Sequence, residues 1–183
     1  MIRPALSVVR CLIPGSQIIT RFTNFYRLDD NLTRSAQLTA KQLEQVVREY
    51  GVKSFVSLRP PRLDKKWYHK DVRVCQEAGI DSVHLGIDGR RMPSRAELLS
   101  MIKVIQDYRK PMHVQCRSGA DRTGLFAGVY EIVVNKKTVI EARKQCSMYF
   151  GNIMPRQRRF FDALKGADVN GDLKKWVMDN YDP

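Results

Sequence analysis

A short stretch around position 116 places a cysteine and an arginine between a strand-like segment and a helix-like segment. Residues 112–115 lead into Cys116, and Arg122 stands six positions later. From Leu125 onward, apolar residues recur at three- and four-residue intervals, which indicates a helix. The stretch therefore predicts a strand, a tight loop and a helix N-terminus, where free backbone N–H groups and the positive end of the helix dipole favour an anion.

The side chains of this loop suit phosphate chemistry. A thiolate at Cys116 would be the nucleophile, and both a helix N-terminus and an arginine stabilise a thiolate. The guanidinium of Arg122 can hold two phosphate oxygens, and the Thr123 hydroxyl is placed to donate to the sulfur as it departs. A buried, inert cysteine is the alternative, but polar neighbours argue against it. The residues predicted to contact phosphate are Arg117, Ser118, Gly119, Ala120, Asp121 and Arg122.

The pattern Cys116-x5-Arg122-Thr123 resembles the signature of the protein tyrosine phosphatase superfamily, in particular its small atypical dual-specificity members of bacterial and plant–fungal type. Residues 24–37 and 52–59 resemble two further blocks of that group, so the resemblance extends over most of the chain. It implies a cysteine-dependent phosphatase that acts on phosphotyrosine, phosphoserine and phosphothreonine proteins through a phosphocysteine intermediate. Two alternatives remain: a phosphoinositide or inositol phosphate phosphatase, and a pseudophosphatase that only binds phosphate.

The resemblance also implies an aspartate that acts as general acid and then as general base, on a loop before the cysteine loop. Asp88 is the only acidic residue of the loop at 86–93, and we predict that it has this role. An Asp-Gly turn without catalytic function is the alternative. Asp64 and Asp81 are the second choices for the acid.

Two residues depart from the family pattern. A histidine usually precedes the cysteine, whereas here Gln115 does and the histidine is His113, so the hydrogen bonds that support the loop are expected to differ. Asp121 stands beside Arg122. An acidic side chain there should weaken the binding of highly charged inositol phosphates, unless it points away and supports Arg122.

The chain is strongly basic, with 32 Lys and Arg against 19 Asp and Glu and a net charge of +13. Such a charge attracts phosphorylated substrates, nucleic acid or acidic lipid surfaces. No block of five basic residues occurs, so we expect no specific nucleic-acid partner and only a weak attraction to an acidic membrane surface. Arg90 and Arg91 are predicted to meet a second phosphate or an acidic flank of the substrate, with solvated loop charges as the alternative.

Strand-like and helix-like segments alternate along the rest of the chain. Apolar and β-branched residues indicate strands at 52–58 and 82–85, and a turn signal at 29–31 indicates a hairpin. Capping boxes mark three helix starts, the last of a helix that should run to Gly151, and a further helix should begin at Pro155. The capping pairs are Thr39 with Gln42, Ser94 with Glu97 and Thr138 with Glu141.

These patterns predict one α/β domain over residues 24–183, preceded by an N-terminal extension at 1–23. We expect three α/β/α layers, a small and mostly parallel central sheet, and the Cys-x5-Arg loop at the C-terminal edge of the strands. The four cysteines show no metal-binding spacing, so we predict neither a metal nor a cofactor. A reactive thiolate fits the reducing cytoplasm, and we expect a monomer.

Overall fold

A five-stranded sheet forms the centre of the computed structural model, which describes residues 23–153, 156–164 and 172–182. The strands lie in the order β1-β2-β5-β3-β4, with β1 antiparallel to β2 and every other pair parallel. Their bounds are Tyr26–Arg27 (β1), Leu32–Ser35 (β2), Ser54–Ser57 (β3), Asp81–His84 (β4) and Met112–Gln115 (β5). Because β2 to β5 are parallel, their C-terminal ends meet at one edge of the sheet.

Seven α-helices surround the sheet within the described residues: α1 (Ala40–Tyr50), α2 (Lys66–Glu77), α3 (Arg95–Asp107), α4 (Asp121–Val133), α5 (Val139–Ala142), α6 (Arg156–Ala163) and α7 (Leu173–Asn180). Helices α1 and α2 cover one face, where their apolar side chains pack with Phe55. The other helices cover the opposite face, where Val56 and Val114 lie in the larger core. Because successive strand residues point to opposite faces, Phe55 and Val56 lie in the cores on the two sides of the sheet. Helices cover both faces, and the predicted three-layer α/β fold is confirmed.

Local signals located most elements correctly. All three predicted capping boxes form, at Thr39, Ser94 and Thr138. Gly51 ends α1 with φ of 59°, a left-handed conformation that glycine adopts readily. The predicted hairpin is present as β1 and β2. No helix within the described ranges has both the length and the apolar character to cross a membrane.

The prediction of one continuous helix from Thr138 to Gly151 is wrong. Helix α5 ends at Ala142, and two short 3-10 turns follow, at Arg143–Cys146 and Met148–Phe150. The carbonyl of Gln145 accepts a hydrogen bond from the Arg34 guanidinium (3.0 Å) instead of continuing a helix. Predictions for residues 1–22, and for the helix start at Pro155, fall outside the described residues.

His113 is fully buried on β5 between the rings of Phe25 and Phe55. The Ser35 hydroxyl donates to the carbonyl of Ala36 (2.6 Å), so its oxygen is left to accept from His113 Nε2 (3.0 Å). Thr33 Oγ1 lies 2.9 Å from His113 Nδ1 and 3.3 Å from the carbonyl oxygen of Met112, and its single proton can serve only one of them. Burial lowers the pKa of His113 to about 3.

We predict that His113 makes stability depend on pH. The pKa falls from 6.5 in the unfolded chain to about 3 in the folded one, so between these values only the unfolded state binds the proton. The contribution to stability is complete above pH 6.5 and is lost as pH falls, by up to about 1.4 kcal/mol per pH unit. Urea unfolding at several pH values should show a shallower slope for His113→Gln. The exposed control His69→Gln should keep the wild-type slope, and an unchanged slope in His113→Gln would contradict the prediction.

Candidate active site

A cleft of about 530 Å³ opens at the C-terminal edge of the sheet, where β5 runs into α4. Three loops form it: the cysteine loop, the loop after β4 and the loop after β3. The lining residues are Pro60, Gly86, Ile87, Asp88, Gly89, Arg90, Cys116, Ser118, Asp121 and Arg122. Cysteine, arginine and aspartate from distant parts of the sequence thus share one cavity.

Four consecutive carbonyl groups of the cysteine loop point away from the cleft, because each accepts a hydrogen bond from outside the loop or from α4. The pairs are Gln37 N to Arg117 O (3.3 Å), Asn24 Nδ2 to Ser118 O (3.3 Å), Arg34 Nη2 to Gly119 O (2.8 Å) and Gly124 N to Ala120 O (2.8 Å). With the carbonyls held outward, the loop has the form of an anion nest, in which backbone N–H groups face the bound ion.

Gly119 shows the inward orientation directly. Its N–H donates to the sulfur of Cys116 at 3.2 Å. Its φ is +70°, and a Cβ there would lie 2.5 Å from the backbone nitrogen of Ala36. Any side chain at this position would therefore displace the loop, so the predicted role of Gly119 requires glycine.

Arg34 is the main lateral support of the loop and was not identified from the sequence. Its side chain is fully buried, and it donates to Gly119 O and to both the backbone and side-chain oxygens of Gln145. Its guanidinium carbon lies 3.9 Å from the ring centre of Phe150. Burial lowers the pKa of Arg34 to about 10, which leaves it charged at neutral pH.

Arg122 connects the cysteine loop to the loop after β4. Its Nη1 donates to the carbonyl of Ile87 at 3.4 Å. A Cβ on Gly89 would lie 3.2 Å from Arg122 Nε, so the two loops are in contact. This contact brings Asp88 to the same cleft as Cys116, as the sequence predicts.

Asp88 is tied to its own loop. Its Oδ1 accepts from the backbone N–H of Arg90 (2.9 Å) and from Arg90 Nε (3.3 Å). These bonds hold the pKa of Asp88 below its ordinary value. Arg90 lines the cleft, but Arg91 is not among the lining residues, because its guanidinium is paired with Glu97 at 2.8 Å.

Glu97 fixes the loop of Asp88, in addition to its predicted role in the capping box of α3. Its Oε1 accepts from the backbone N–H of Asp88 at 2.9 Å. From α6, Gln157 Nε2 donates to the carbonyls of Asp88 (3.4 Å) and Arg91 (3.2 Å). Neither function could be inferred from local sequence, since Gln157 is 69 residues from Asp88.

Gln115 takes part in a buried network that replaces the histidine of the family pattern. Its Nε2 donates to the fully buried carboxylate of Asp71 (3.0 Å), and its Oε1 accepts from the backbone N–H of Leu38 (3.2 Å). Asp71 also accepts from Gln37 and pairs with Lys70 at 2.6 Å. The residue before the nucleophile is therefore fixed by a carboxylate and a backbone amide.

Arg59 adds a further positive charge beside the cleft. It stacks on Trp67, with 3.6 Å between its guanidinium carbon and the ring centre, and donates to Gln37 at 2.9 Å. Burial and then the charge of Arg122 lower its pKa, which places the two arginines near each other. Together they make the mouth of the cleft attractive to anions.

The second-choice acids lie elsewhere. Asp64 is exposed and pairs with Arg62 and Lys65. Asp81 opens β4, at the opposite end of the strand from the cleft, and pairs with Arg109 at 2.8 Å. Of the predicted acids, only Asp88 lines the cleft.

Two predicted site residues have unbonded oxygens. Within the described part of the chain, the fully buried Thr123 Oγ1 has no hydrogen-bond partner, so the predicted bond to the Cys116 sulfur is not formed here. Asp121 Oδ1 is likewise buried and unbonded.

The described residues contain no group of three or more His, Cys, Asp or Glu side chains that could hold a metal ion.

We predict that Arg34→Met weakens the anion site. Loss of the bond to Gly119 O frees one loop carbonyl to turn, so the affinity for inorganic phosphate should fall about 10-fold, and the free energy of unfolding should fall by about 2 kcal/mol. Calorimetry and urea unfolding measure the two effects. Arg48→Met, at an exposed position of α1, should change neither. Unaltered phosphate affinity in Arg34→Met would contradict the role of Arg34.

Comparison with known proteins places the chain among phosphatases. Residues 20–162 match the family described as DSP-PTPase phosphatase fused to NAD+ kinase. The dual specificity protein phosphatase TpbA of Pseudomonas aeruginosa is 29% identical over 161 residues, which are 85% of this chain and 68% of that protein.

Solved structures show the same fold. The crystal structure of Pseudomonas aeruginosa TpbA superposes with a TM-score of 0.64, at 29% identity, and covers 85% of this chain and 91% of its own. The core catalytic domain of the PP-IP phosphatase SIW14 from S. cerevisiae gives a TM-score of 0.65, over 84% of this chain and 90% of its own, at 16% identity. The chain belongs to the family of dual-specificity-like phosphatases within the protein tyrosine phosphatase superfamily, and it is a cysteine-dependent phosphatase.

Proposed function

We propose that this enzyme hydrolyses phosphate monoesters of phosphotyrosine, phosphoserine and phosphothreonine in proteins, with Cys116 as nucleophile. The observation that carries the proposal is the inward N–H of Gly119, 3.2 Å from the Cys116 sulfur, in a cleft that Arg122 also lines. A variant of TpbA in which serine replaces a cysteine has been crystallised with phosphotyrosine, which supports the substrate class.

In the first step, the Cys116 thiolate attacks phosphorus in line with the leaving oxygen. The sulfur–phosphorus bond forms as the phosphorus–oxygen bond breaks. Arg122 and the loop amides stabilise the negative charge of the transferring phosphoryl group, as preorganised donors do in an oxyanion hole. These groups supply positive charge at the site, and so we expect chelators to leave the activity unchanged.

In the second step, water attacks the phosphocysteine and releases inorganic phosphate. Asp88 is the predicted acid and base of the two steps. Hydrogen bonds from Arg90 lower its pKa and so stabilise the carboxylate, which is the form that accepts a proton in the second step. The unbonded hydroxyl of Thr123 is available to donate to the departing sulfur.

We also propose a reducing, cytoplasmic location. This proposal is supported by the free thiols among the described residues, which are those of Cys75, Cys116 and Cys146.

We predict that Cys116→Ser abolishes phosphate release, because a serine hydroxyl at the same place is not ionised. The assay compares a phosphotyrosine peptide, a phosphothreonine peptide and phosphoinositides, with chelator present. Cys75→Ser, at a buried cysteine outside the cleft, is the matched control and should remain active. Full activity of Cys116→Ser would rule out the mechanism, and a preference for phosphoinositides would favour the lipid phosphatase alternative.

We predict that Asp88→Asn lowers kcat about 100-fold and lets phosphocysteine accumulate, since the amide cannot accept a proton from water. Rapid quench followed by mass spectrometry of the protein detects the intermediate. Asp81→Asn, which removes a carboxylate far from the cleft, should keep the wild-type kcat. Wild-type turnover by Asp88→Asn would show that Asp88 is only a turn residue.

A further inference from the structure

An exposed turn beside the cysteine loop presents large apolar side chains to solvent. The turn is formed by residues 148–153, and its Met148, Tyr149 and Ile153 are 77%, 71% and 74% exposed. The described residues expose seven large apolar side chains, and these three fall within six consecutive positions. Single exposed apolar residues are ordinary on protein surfaces, whereas a cluster of them marks a site of interaction.

The turn is anchored from beneath. The ring of Phe150 is buried, and the guanidinium carbon of Arg34 lies 3.9 Å from its centre. The backbone N–H of Asn152 donates to the carbonyl of Ser147 at 3.2 Å, and this bond closes the turn. The fold therefore fixes the backbone here while it leaves the apolar side chains on either side of Phe150 in contact with water.

Basic residues surround the turn. Residues 136–162 carry seven Lys and Arg but only two Asp and Glu. Lys144 is exposed in the 3-10 turn just before it. Arg143 and Arg158 lie close to Cys146, since their charges act against the burial that raises the pKa of this thiol. Apolar side chains and an excess of positive charge thus occupy one part of the surface.

The same part of the surface borders the active site. Asn24 Nδ2 donates to the carbonyls of Ser118 (3.3 Å) and Phe150 (2.8 Å). Ser118 lines the cleft, so a single side chain connects the turn to the loop of the nucleophile. A partner that binds the turn is therefore held close to the cleft.

The chemistry of this surface fits an anionic lipid membrane. Acidic headgroups attract Lys and Arg, while aromatic and aliphatic side chains enter the membrane interface. A second copy of the chain would bring the same positive charge against itself. Residues 1–22 carry three arginines and no acidic residue, so the same repulsion opposes cover from within the chain.

We propose that residues 148–153 dock this enzyme on an anionic lipid surface. Met148, Tyr149 and Ile153 insert between the headgroups, and the surrounding Lys and Arg bind the lipid phosphates. Binding of this kind grows with both the buried apolar area and the attraction to anionic lipids. The proposal gives a defined site to the attraction that the net charge predicts, and it does not depend on which phosphate monoester the enzyme hydrolyses.

The test measures co-sedimentation of the full chain with vesicles of phosphatidylcholine alone and with vesicles that also contain phosphatidylglycerol. Wild-type protein should bind the anionic vesicles, bind the neutral ones about 10-fold more weakly, and detach from the anionic ones as salt is added. Equal binding to both kinds of vesicle, or binding to neither, would overturn the proposal.

The apolar contribution is tested with Met148→Ser/Ile153→Ser, which changes two exposed side chains. The affinity of this double variant for anionic vesicles should fall about 10-fold, because the inserted apolar groups are lost. Met178→Ser is the matched control and should bind like the wild type. Met178 is also exposed, but on α7, where Lys175 is paired with Asp179. Wild-type affinity in the double variant would show that net charge alone attracts the protein, and would overturn the proposal.

The charged contribution is tested with Lys144→Gln, which should lower the affinity for anionic vesicles a few-fold. Lys41→Gln, at an exposed position of α1, removes the same charge elsewhere and should leave the affinity unchanged. Equal losses in the two variants would show that the position of the charge does not matter, which contradicts docking through the turn.

Insertion itself is measured with Met148→Trp. Its tryptophan emission should shift to shorter wavelength when anionic vesicles are added, beyond any shift of the wild type, because the added indole enters the interface. An emission that shifts no more than that of the wild type would overturn the proposal. Sedimentation without lipid tests self-association: a wild-type dimer that dissociates in Met148→Ser/Ile153→Ser would assign the turn to a second copy of the chain and reject lipid docking.

Discussion

The site depends on four outward carbonyl groups in the loop between β5 and α4. Each is held by a donor from a different place: the segment before β1, strand β2, the segment after β2, and the first turn of α4. A peptide unit whose carbonyl is fixed outward has little freedom in its N–H, so the loop amides are oriented before any substrate arrives. Preorganisation of this kind lowers the cost of stabilising charge in a transition state.

Two buried charges of opposite sign maintain this arrangement. Arg34 supports the loop from one side and Asp71 holds the residue before the nucleophile from the other. Burying an ion is expensive, and both groups offset the cost with several hydrogen bonds and one close ionic or aromatic contact. Removing either ion would leave its buried partners unpaired, so these groups favour one geometry of the loop over its alternatives.

Local patterns were enough to predict the strands, the capping boxes and the meeting of Cys116, Arg122 and Asp88, because each depends on neighbours in sequence or on parallel strand ends. The supporting residues were missed because their bonds span long separations, 85 residues between Arg34 and Gly119 for example. The break after α5 was missed for the same reason, since Arg34 takes the Gln145 carbonyl. Helix α7 packs Leu173 and Val177 into the core and was not predicted.

The position of Arg34 also bears on the order in which the enzyme forms during synthesis. Its partners are Gly119 in the cysteine loop and Gln145, which emerges from the ribosome after the nucleophile has already been made. A nascent chain that ends before the 3-10 turns contains Cys116 without the segment that closes over Arg34. The nucleophilic cysteine is therefore made before its enclosure, and the anion site is complete only after Gln145 and the 3-10 turns have been translated.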